Sequence, residues 1–292
     1  MQTTEVVVIG GGVIGTSIAY YLSKLGKSVT LIEKDDVASG SSGACDGLLM
    51  LQSKRPGIHL TLALKSLKEF DNLAKELGYD IEYQKNGGMI VAETDEQMET
   101  MAKFVKSQRE AGLDLQLLTV DEARRLEPAL SEHIAGATFS PMDAQVNPLY
   151  LTFGFAEAAK KHGAKLYTDL EARSILTRNN RAVSVITDRG KIETSTVVNA
   201  AGVFAPAIGR MVNLSIPITP RRGQIAVTEP APPLVKHVML DAQYMAAKLD
   251  LKIHEEPKDE SIRLGVGLVL EQTVSGHLLL GSTREFVGYD RN

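Results

Sequence analysis

The 292-residue sequence contains no tryptophan and a single cysteine, Cys45. One thiol cannot build an intrachain disulfide framework or a multi-cysteine cluster, so a reducing, cytoplasmic setting is the expectation. No apolar run approaches the ~20 residues that span a bilayer. The N-terminus enters an apolar run at once, without a signal peptide. Neither sign of charge is in large excess: 32 Lys and Arg stand against 36 Asp and Glu, a net charge of −4. That balance gives no reason to expect a nucleic-acid partner. The six histidines, at 59, 133, 162, 237, 254 and 277, are scattered and pair with no carboxylate at a suggestive spacing; no metal site is expected. What remains is ordinary globular composition, 43 % hydrophobic and 23 % charged, long enough for two domains.

The chain is organised around residues 5 to 33. Val6 to Ile9 is a short apolar run, which predicts a buried parallel strand. Gly10, Gly12 and Gly15 follow directly in G-x-G-x-x-G spacing, with Gly11, Val13 and Ile14 between them. An amphipathic stretch from Val13 to Leu25 predicts a helix that stops at Gly26. Ser28 to Ile32 is a second apolar strand, with Glu33 and Lys34 at its tip. This is a dinucleotide-binding strand–helix–strand unit. Gly10 permits the tight turn, Gly12 lets the backbone approach a pyrophosphate on the helix N-terminus, and Gly15 lets helix and strand pack closely. Glu33 can accept hydrogen bonds from ribose hydroxyls. An acid there argues against a 2′-phosphate and leaves FAD or NAD.

Two later stretches point toward the same cofactor. Gly40, Ser41, Ser42, Gly43, Ala44, Cys45, Asp46, Gly47 and Leu48 form a small, polar, glycine-rich segment soon after Glu33. Its N–H groups and hydroxyls suit phosphate and ribityl oxygens. Thr196 to Asn199 predicts a strand running into Ala200, Ala201 and Gly202, a second junction without bulky side chains. Helices are predicted over 58–77, 95–111 and 148–162, with a capping box at Thr119 to Glu122. Strands are predicted at 81–83, 88–92, 135–139, 165–167, 182–187 and 191–194. An antiparallel pattern follows from Pro217, with strands at 221–228, 237–246, 262–270 and 277–282.

Together these residues resemble the D-amino-acid oxidase-like flavoproteins, in particular the branch with glycine oxidase and the β subunits of sarcosine, proline, hydroxyproline and opine dehydrogenases. The resemblance rests on Val6 to Gly15 with Glu33, on Gly40 to Leu48, and on Val197 to Gly202. It also rests on Arg222-Gly223-Gln224 with Gly281 to Glu285, and on Asp143 to Pro148. It implies FAD, and an α/β fold in which a Rossmann-like FAD-binding domain is interrupted by an α+β substrate domain with a mostly antiparallel sheet. The expected bounds are 1–83 and 143–216 for the first, and 84–142 and 217–292 for the second. Family members carry a further C-terminal part of the FAD domain, with a carboxylate-gripping arginine and a glycine-rich loop, which these residues do not include.

Carried over by position, the resemblance assigns Gly10 to Gly15 to the pyrophosphate and Glu33 to the adenosine ribose. It assigns Ser41 to Gly43 to phosphate and ribityl groups. Ala44 to Leu48 would run along the isoalloxazine, with Gly47 and Leu48 near the substrate. Ala172 would meet the adenine, and Ala200 to Gly202 would make a second backbone approach. Tyr244 falls on the stretch carrying an active-site tyrosine, and Arg284 where a side chain projects over the flavin. The implied reaction is oxidation of an amino acid or secondary amine at the α carbon, by hydride transfer to flavin N5, giving an imine. A hetero-oligomer with electron-transfer subunits is left open. Two other readings stand beside it: a non-catalytic flavoprotein-like subunit, and an NAD-dependent dehydrogenase, which leaves residues 40–48 and 197–202 unexplained.

Overall fold

The computed structural model describes residues 2–249, 267–281 and 283–290. In chain order the elements begin with β1 (Gln2–Thr3), β2 (Val6–Ile9), α1 (Val13–Lys24), β3 (Val29–Ile32), β4 (Leu48–Leu49), α2 (Ile58–Leu77) and β5 (Gly88–Ala92). There follow α3 (Asp95–Glu110), β6 (Gln116–Leu118), α4 (Val120–Leu126), β7 (Gly136–Ser140), β8 (Ala144–Gln145), α5 (Pro148–Lys161) and β9 (Lys165–Tyr167). Next are β10 (Ala172–Arg178), β11 (Arg181–Thr187), β12 (Gly190–Glu193), β13 (Thr196–Asn199) and α6 (Ala205–Arg210). The last are β14 (Ile225–Val227), β15 (Val238–Asp241), α7 (Ala242–Leu249), β16 (Val269–Gln272) and β17 (Leu278–Gly281).

The chain divides into two compact units. The first holds residues 1–45, 73–81 and 148–220. Its centre is a four-stranded sheet in the order β13-β2-β3-β9, parallel throughout. β2 and β3 are apolar along their length because they are buried along their length, with Val7, Val8 and Leu31 fully enclosed. Helix α1 lays Ala19 and Tyr20 into the interior. The buried phenol keeps a partner by donating to Glu76 Oε1 at 2.8 Å. A second sheet, β1-β12-β11-β10, flanks a cluster formed by Val7, Ile32, Ile175, Val185 and Ile192.

The second unit holds residues 46–72, 82–147 and 221–292. It is built on a seven-stranded sheet in the order β14-β17-β16-β15-β5-β7-β6, antiparallel except for the β15–β5 pair. Ile90, Leu240, Val269, Phe104 and Met245 pack on one another as a core. β4 and β8 form a separate two-stranded ladder, pairing Leu48 with Gln145 and Leu49 with Ala144.

The α/β architecture and the antiparallel second sheet are as expected; several details are not. Residues 46–72 group with the second unit, so the first unit's leading segment ends at 45 and not at 83. Residues 81–83 form no strand: Ile81 is buried, and only Gln84 bridges to Gln145. β10 went unpredicted, because its outward face carries Arg173 and Arg178 and dilutes the apolar alternation. The predicted strand 237–246 breaks after Asp241 into helix α7, which carries Tyr244. Asp241 supplies the reason: its Oδ1 accepts the Tyr244 N–H three residues on, as an N-cap does. His254, residues 262–266 of the predicted strand 262–270, and Ser282 lie outside the described residues.

Candidate functional site

In the first unit, β2 delivers the chain to Gly10 at φ +119°. A Cβ there would lie 2.3 Å from the Ala200 carbonyl oxygen, so only glycine lets the two strand ends meet. The meeting is fixed by Ala200 N–H donating to Ile9 O at 2.9 Å and Gly10 N–H donating to Ile32 O at 2.9 Å. A Cβ on Gly15 would stand 1.9 Å from the Gly10 carbonyl, so α1 can seat only on a glycine. Gly12 is the N-cap of α1 and caps it with no side chain.

Glu33 leans back onto this turn. Its Oε2 accepts the Gly11 N–H at 2.7 Å and its Oε1 accepts the Asp35 N–H at 3.0 Å. Each oxygen keeps a second lone pair for a ribose hydroxyl. Lys34 beside it lies over the Phe204 ring, 4.1 Å from the centroid. Ser42 reaches the same helix end: its hydroxyl accepts the Val13 N–H at 3.0 Å. Ser41 to Gly43 form a short 3₁₀ turn after Gly40, and Cys45 after it is exposed. Ala172 is buried at the start of β10. Ala200, Ala201 and Gly202 carry β13 into a 3₁₀ turn over Gly202–Phe204. Thus Gly10 to Gly15, Glu33, Ser42 and Ala200 gather at one end of the parallel sheet, whereas Ile14 points its side chain outward, 63 % exposed.

A helix N-terminus whose N-cap is a glycine, a turn that admits no Cβ at Gly10 or Gly15, and a carboxylate seated beside it together fit a dinucleotide's adenosine–pyrophosphate half. The helix N-terminus favours the phosphates, and Glu33 favours ribose hydroxyls over a 2′-phosphate.

In the second unit, Gly47 and Leu48 lead into β4. Gly47 N–H donates to Glu271 Oε1 at 2.8 Å, and Val146 N–H donates to Gly47 O at 3.0 Å. The turn after β4 is tied to Asp143, which accepts from Leu51 N–H at 2.6 Å and Gln52 Nε2 at 2.7 Å. Gln52 in turn donates to Gly88 O and accepts from the Thr138 hydroxyl. Burial pushes the Asp143 carboxyl up to about 7 against the pull of those donors. Arg284 stacks over Tyr244, its guanidinium carbon 4.1 Å from the ring centre. Burial lowers the Arg284 pKa, as does repulsion from Arg221, while Asp46 opposes both. Asp46 therefore lies within electrostatic reach of Arg284. Arg222 is committed elsewhere: it pairs with Glu285 at 2.9 Å, and the two residues exchange backbone hydrogen bonds.

The structure thus brings Tyr244 and Arg284 together in one unit with Asp46, Gly47 and Leu48. Glu271 was missed. Its signal was available: a charged residue at the buried parity of an apolar strand, between Val269 and the edge of β16. Among the described residues, no helix is long and apolar enough to cross a membrane.

These features define a dinucleotide-binding class, and the chain belongs to the FAD dependent oxidoreductase (DAO) family, whose model matches residues 5–292. FAD, and not NAD, is the cofactor of this family. The chain is 34 % identical over 239 residues to glycine oxidase of Geobacillus kaustophilus (strain HTA426), covering 80 % of this chain and 63 % of that protein. The solved glycine oxidase from that species superimposes with a TM-score of 0.86 at 29 % identity, over 100 % of this chain and 74 % of the other. L-proline dehydrogenase from P. horikoshii gives 0.85 at 28 % identity, over 99 % and 72 %. A glycerol 3-phosphate dehydrogenase of Caloramator mitchellensis is 30 % identical over 287 residues, 96 % of this chain and 55 % of that one. The chain spans from 25 % to 63 % of the length of curated relatives of this kind.

Proposed function

We propose that the chain binds FAD and oxidises a small amino acid or secondary amine at the α carbon. The observation that carries this reading is Arg284, a partly buried guanidinium stacked on Tyr244 and within reach of Asp46, in the same unit as Gly47 and Leu48. It is a cation held ready for a substrate carboxylate. In this reading Gly10 to Gly15 and Ser42 hold the pyrophosphate, and Glu33 holds the ribose. The backbone of residues 44–48 borders the isoalloxazine, and Tyr244 keeps the Arg284 fork flat. Bound FAD would accept the hydride that leaves the α carbon. The relatives named glycine oxidase and L-proline dehydrogenase support an amine substrate.

A second reading has one specific support. The relative named glycerol 3-phosphate dehydrogenase aligns with 96 % of this chain, and a guanidinium binds phosphate as readily as carboxylate. One experiment separates the readings. The purified protein is loaded with FAD under anaerobic conditions, and bleaching of the flavin is followed with secondary amines, free α-amino acids and glycerol 3-phosphate. Bleaching by amines alone supports the first reading. Bleaching by glycerol 3-phosphate alone supports the second. Bound flavin that no candidate reduces fits the non-catalytic subunit and overturns both.

A further inference from the structure

Glu271 sits where the fold has no need of a carboxyl. β16 alternates buried and half-exposed positions, and Glu271 shares the buried set with Val269. It is 4 % exposed, and an aliphatic side chain would satisfy that face. Its Oε1 accepts the Gly47 N–H at 2.8 Å. Its Oε2 is sealed from solvent and has no hydrogen-bond partner among the described residues. A Cβ on Gly47 would stand 3.4 Å from that oxygen and 2.0 Å from the Val146 carbonyl. The Gly47 residue is therefore clamped: its N–H by Glu271, its carbonyl by the Val146 N–H.

We propose that Glu271 is a positioning residue for the candidate site, whose buried carboxyl holds the Gly47 peptide and tightens or loosens that grip as it loses or gains a proton. The inference rests on the reading that residues 44–48 run beside the flavin. Glu271 acts through Gly47 and not by touching substrate, because its second oxygen is enclosed. An ionised carboxylate makes a charge-assisted hydrogen bond to the Gly47 N–H, stronger than the bond a neutral carboxyl accepts. The unpartnered oxygen is the place for the proton, since a neutral carboxyl is far less costly to bury than a charged one.

The surroundings favour that titration. The cross-strand neighbour on β17 is Leu279, and β15 on the other side presents Val238 and Leu240 on the face of Glu271, with Met239 and the carboxyl of Asp241 on the opposite face. The ladder partner of β4 is Ala144–Gln145, which carries no charge. Asp46 is the charged group that acts on Glu271, and Arg284 in turn feels Asp46. Burial pushes the Glu271 carboxyl up to about 7; the Gly47 N–H pulls it back and the Asp46 charge adds to the rise.

The test uses the Gly47 amide as its own reporter. In ¹⁵N-labelled protein, with and without FAD, the Gly47 resonance is followed across neutral pH in the wild type and in Glu271→Gln. The amide variant keeps an acceptor but cannot ionise. The wild-type Gly47 proton is expected to move downfield as pH rises, with one midpoint near 7. In Glu271→Gln the movement is lost while the rest of the amide spectrum keeps its folded dispersion, and Asp46→Asn lowers the wild-type midpoint. In the FAD-loaded protein the visible flavin band follows the same midpoint, and Glu271→Gln abolishes that shift. A Gly47 resonance that does not titrate, or titrates equally in Glu271→Gln, overturns the proposal. A Gly47 titration that Glu271→Gln abolishes, beside a flavin band indifferent to it, upholds the Glu271 grip and overturns instead the placement of residues 44–48 at the flavin.

Discussion

The guanidinium carbon of Arg284 lies 4.1 Å from the centre of the Tyr244 ring. A guanidinium over an aromatic face is attracted by the ring's quadrupole, by about 0.5–2 kcal/mol as desolvation increases. Burial and the nearby Arg221 both disfavour the charge, and Asp46 favours it. Arginine stays protonated under such pressure where lysine would yield. The stack therefore holds a cation in one plane at a partly buried position, which is what a carboxylate-binding site needs before substrate arrives.

Arg284→Ala is expected to raise KM for a carboxylate-bearing substrate by roughly 10- to 100-fold, the loss of a charge-assisted bidentate contact. KM for an uncharged amine should hardly change. Arg284→Lys keeps the charge without the planar fork and should fall between. Steady-state kinetics on the two substrate types checks this; equal losses on both would count against a carboxylate clamp.

Tyr244→Phe keeps the ring beneath Arg284, and Tyr244→Leu removes it. The leucine variant should lose roughly fivefold in affinity for the carboxylate substrate, from about 1 kcal/mol of stacking, and the phenylalanine variant less. If both lose equally, the hydroxyl and not the ring is what matters.

Glu33→Gln should weaken FAD binding by roughly tenfold, since neutral acceptors replace charged ones. Glu33→Ala should weaken it further, because the Gly11 N–H also loses its 2.7 Å partner. Recovery of free-flavin fluorescence on dilution measures both. An alanine variant that retains flavin like the wild type would confine Glu33 to a local structural role.

Three carboxyls of the second unit are pushed up: buried Asp143 and Glu271 to about 7, and half-buried Asp241 to about 6. Burial is the leading cause in each. The sign follows from proton counting. An unfolded glutamate ionises near 4.5 whereas folded Glu271 holds its proton to about 7. The folded state binds more protons between those values, so stability is greatest below the lower one and falls as pH rises to the upper. Glu271→Gln removes this contribution. Urea denaturation at several pH values from mildly acidic to mildly alkaline should therefore give a flatter stability profile for the variant. Parallel profiles would show that Glu271 is ionised throughout.

Gly10→Ala forces a Cβ to within 2.3 Å of the Ala200 carbonyl at φ +119°. The β2 and β13 ends must separate, at a cost of about 2–4 kcal/mol, of the size caused by strain at special backbone positions. Thermal unfolding should fall by several degrees, with FAD affinity reduced as well. A variant that melts and binds like the wild type would show that the two strand ends are not held together as described.

Much of the first unit was legible because its information is local. The phosphate turn, the helix that leaves it and the acid at the next strand tip all lie within residues 5–33, and the sterics of Gly10 and Gly15 act over a few residues. Tyr244 was placed on a strand because neither glycine nor proline separates it from the apolar run of β15; the capping carboxylate of Asp241 ends that strand instead. β10 as a whole and the absence of a strand at 81–83 were equally beyond reach, since strand pairing depends on a partner and periodicity names only a face.

By itself, then, the sequence determined the dinucleotide turn, the parallel core behind it and the antiparallel character of the later strands. Backbone sterics and the period of apolar residues are short-range properties, written in neighbouring positions. Only the tertiary structure decided that Glu271 holds the Gly47 peptide from 224 positions away, that Arg284 lies on Tyr244, and that Asp143 holds the turn after β4 through Leu51 and Gln52. The energy of a buried carboxyl or guanidinium depends on which remote groups surround it, and no spacing along the chain encodes that company.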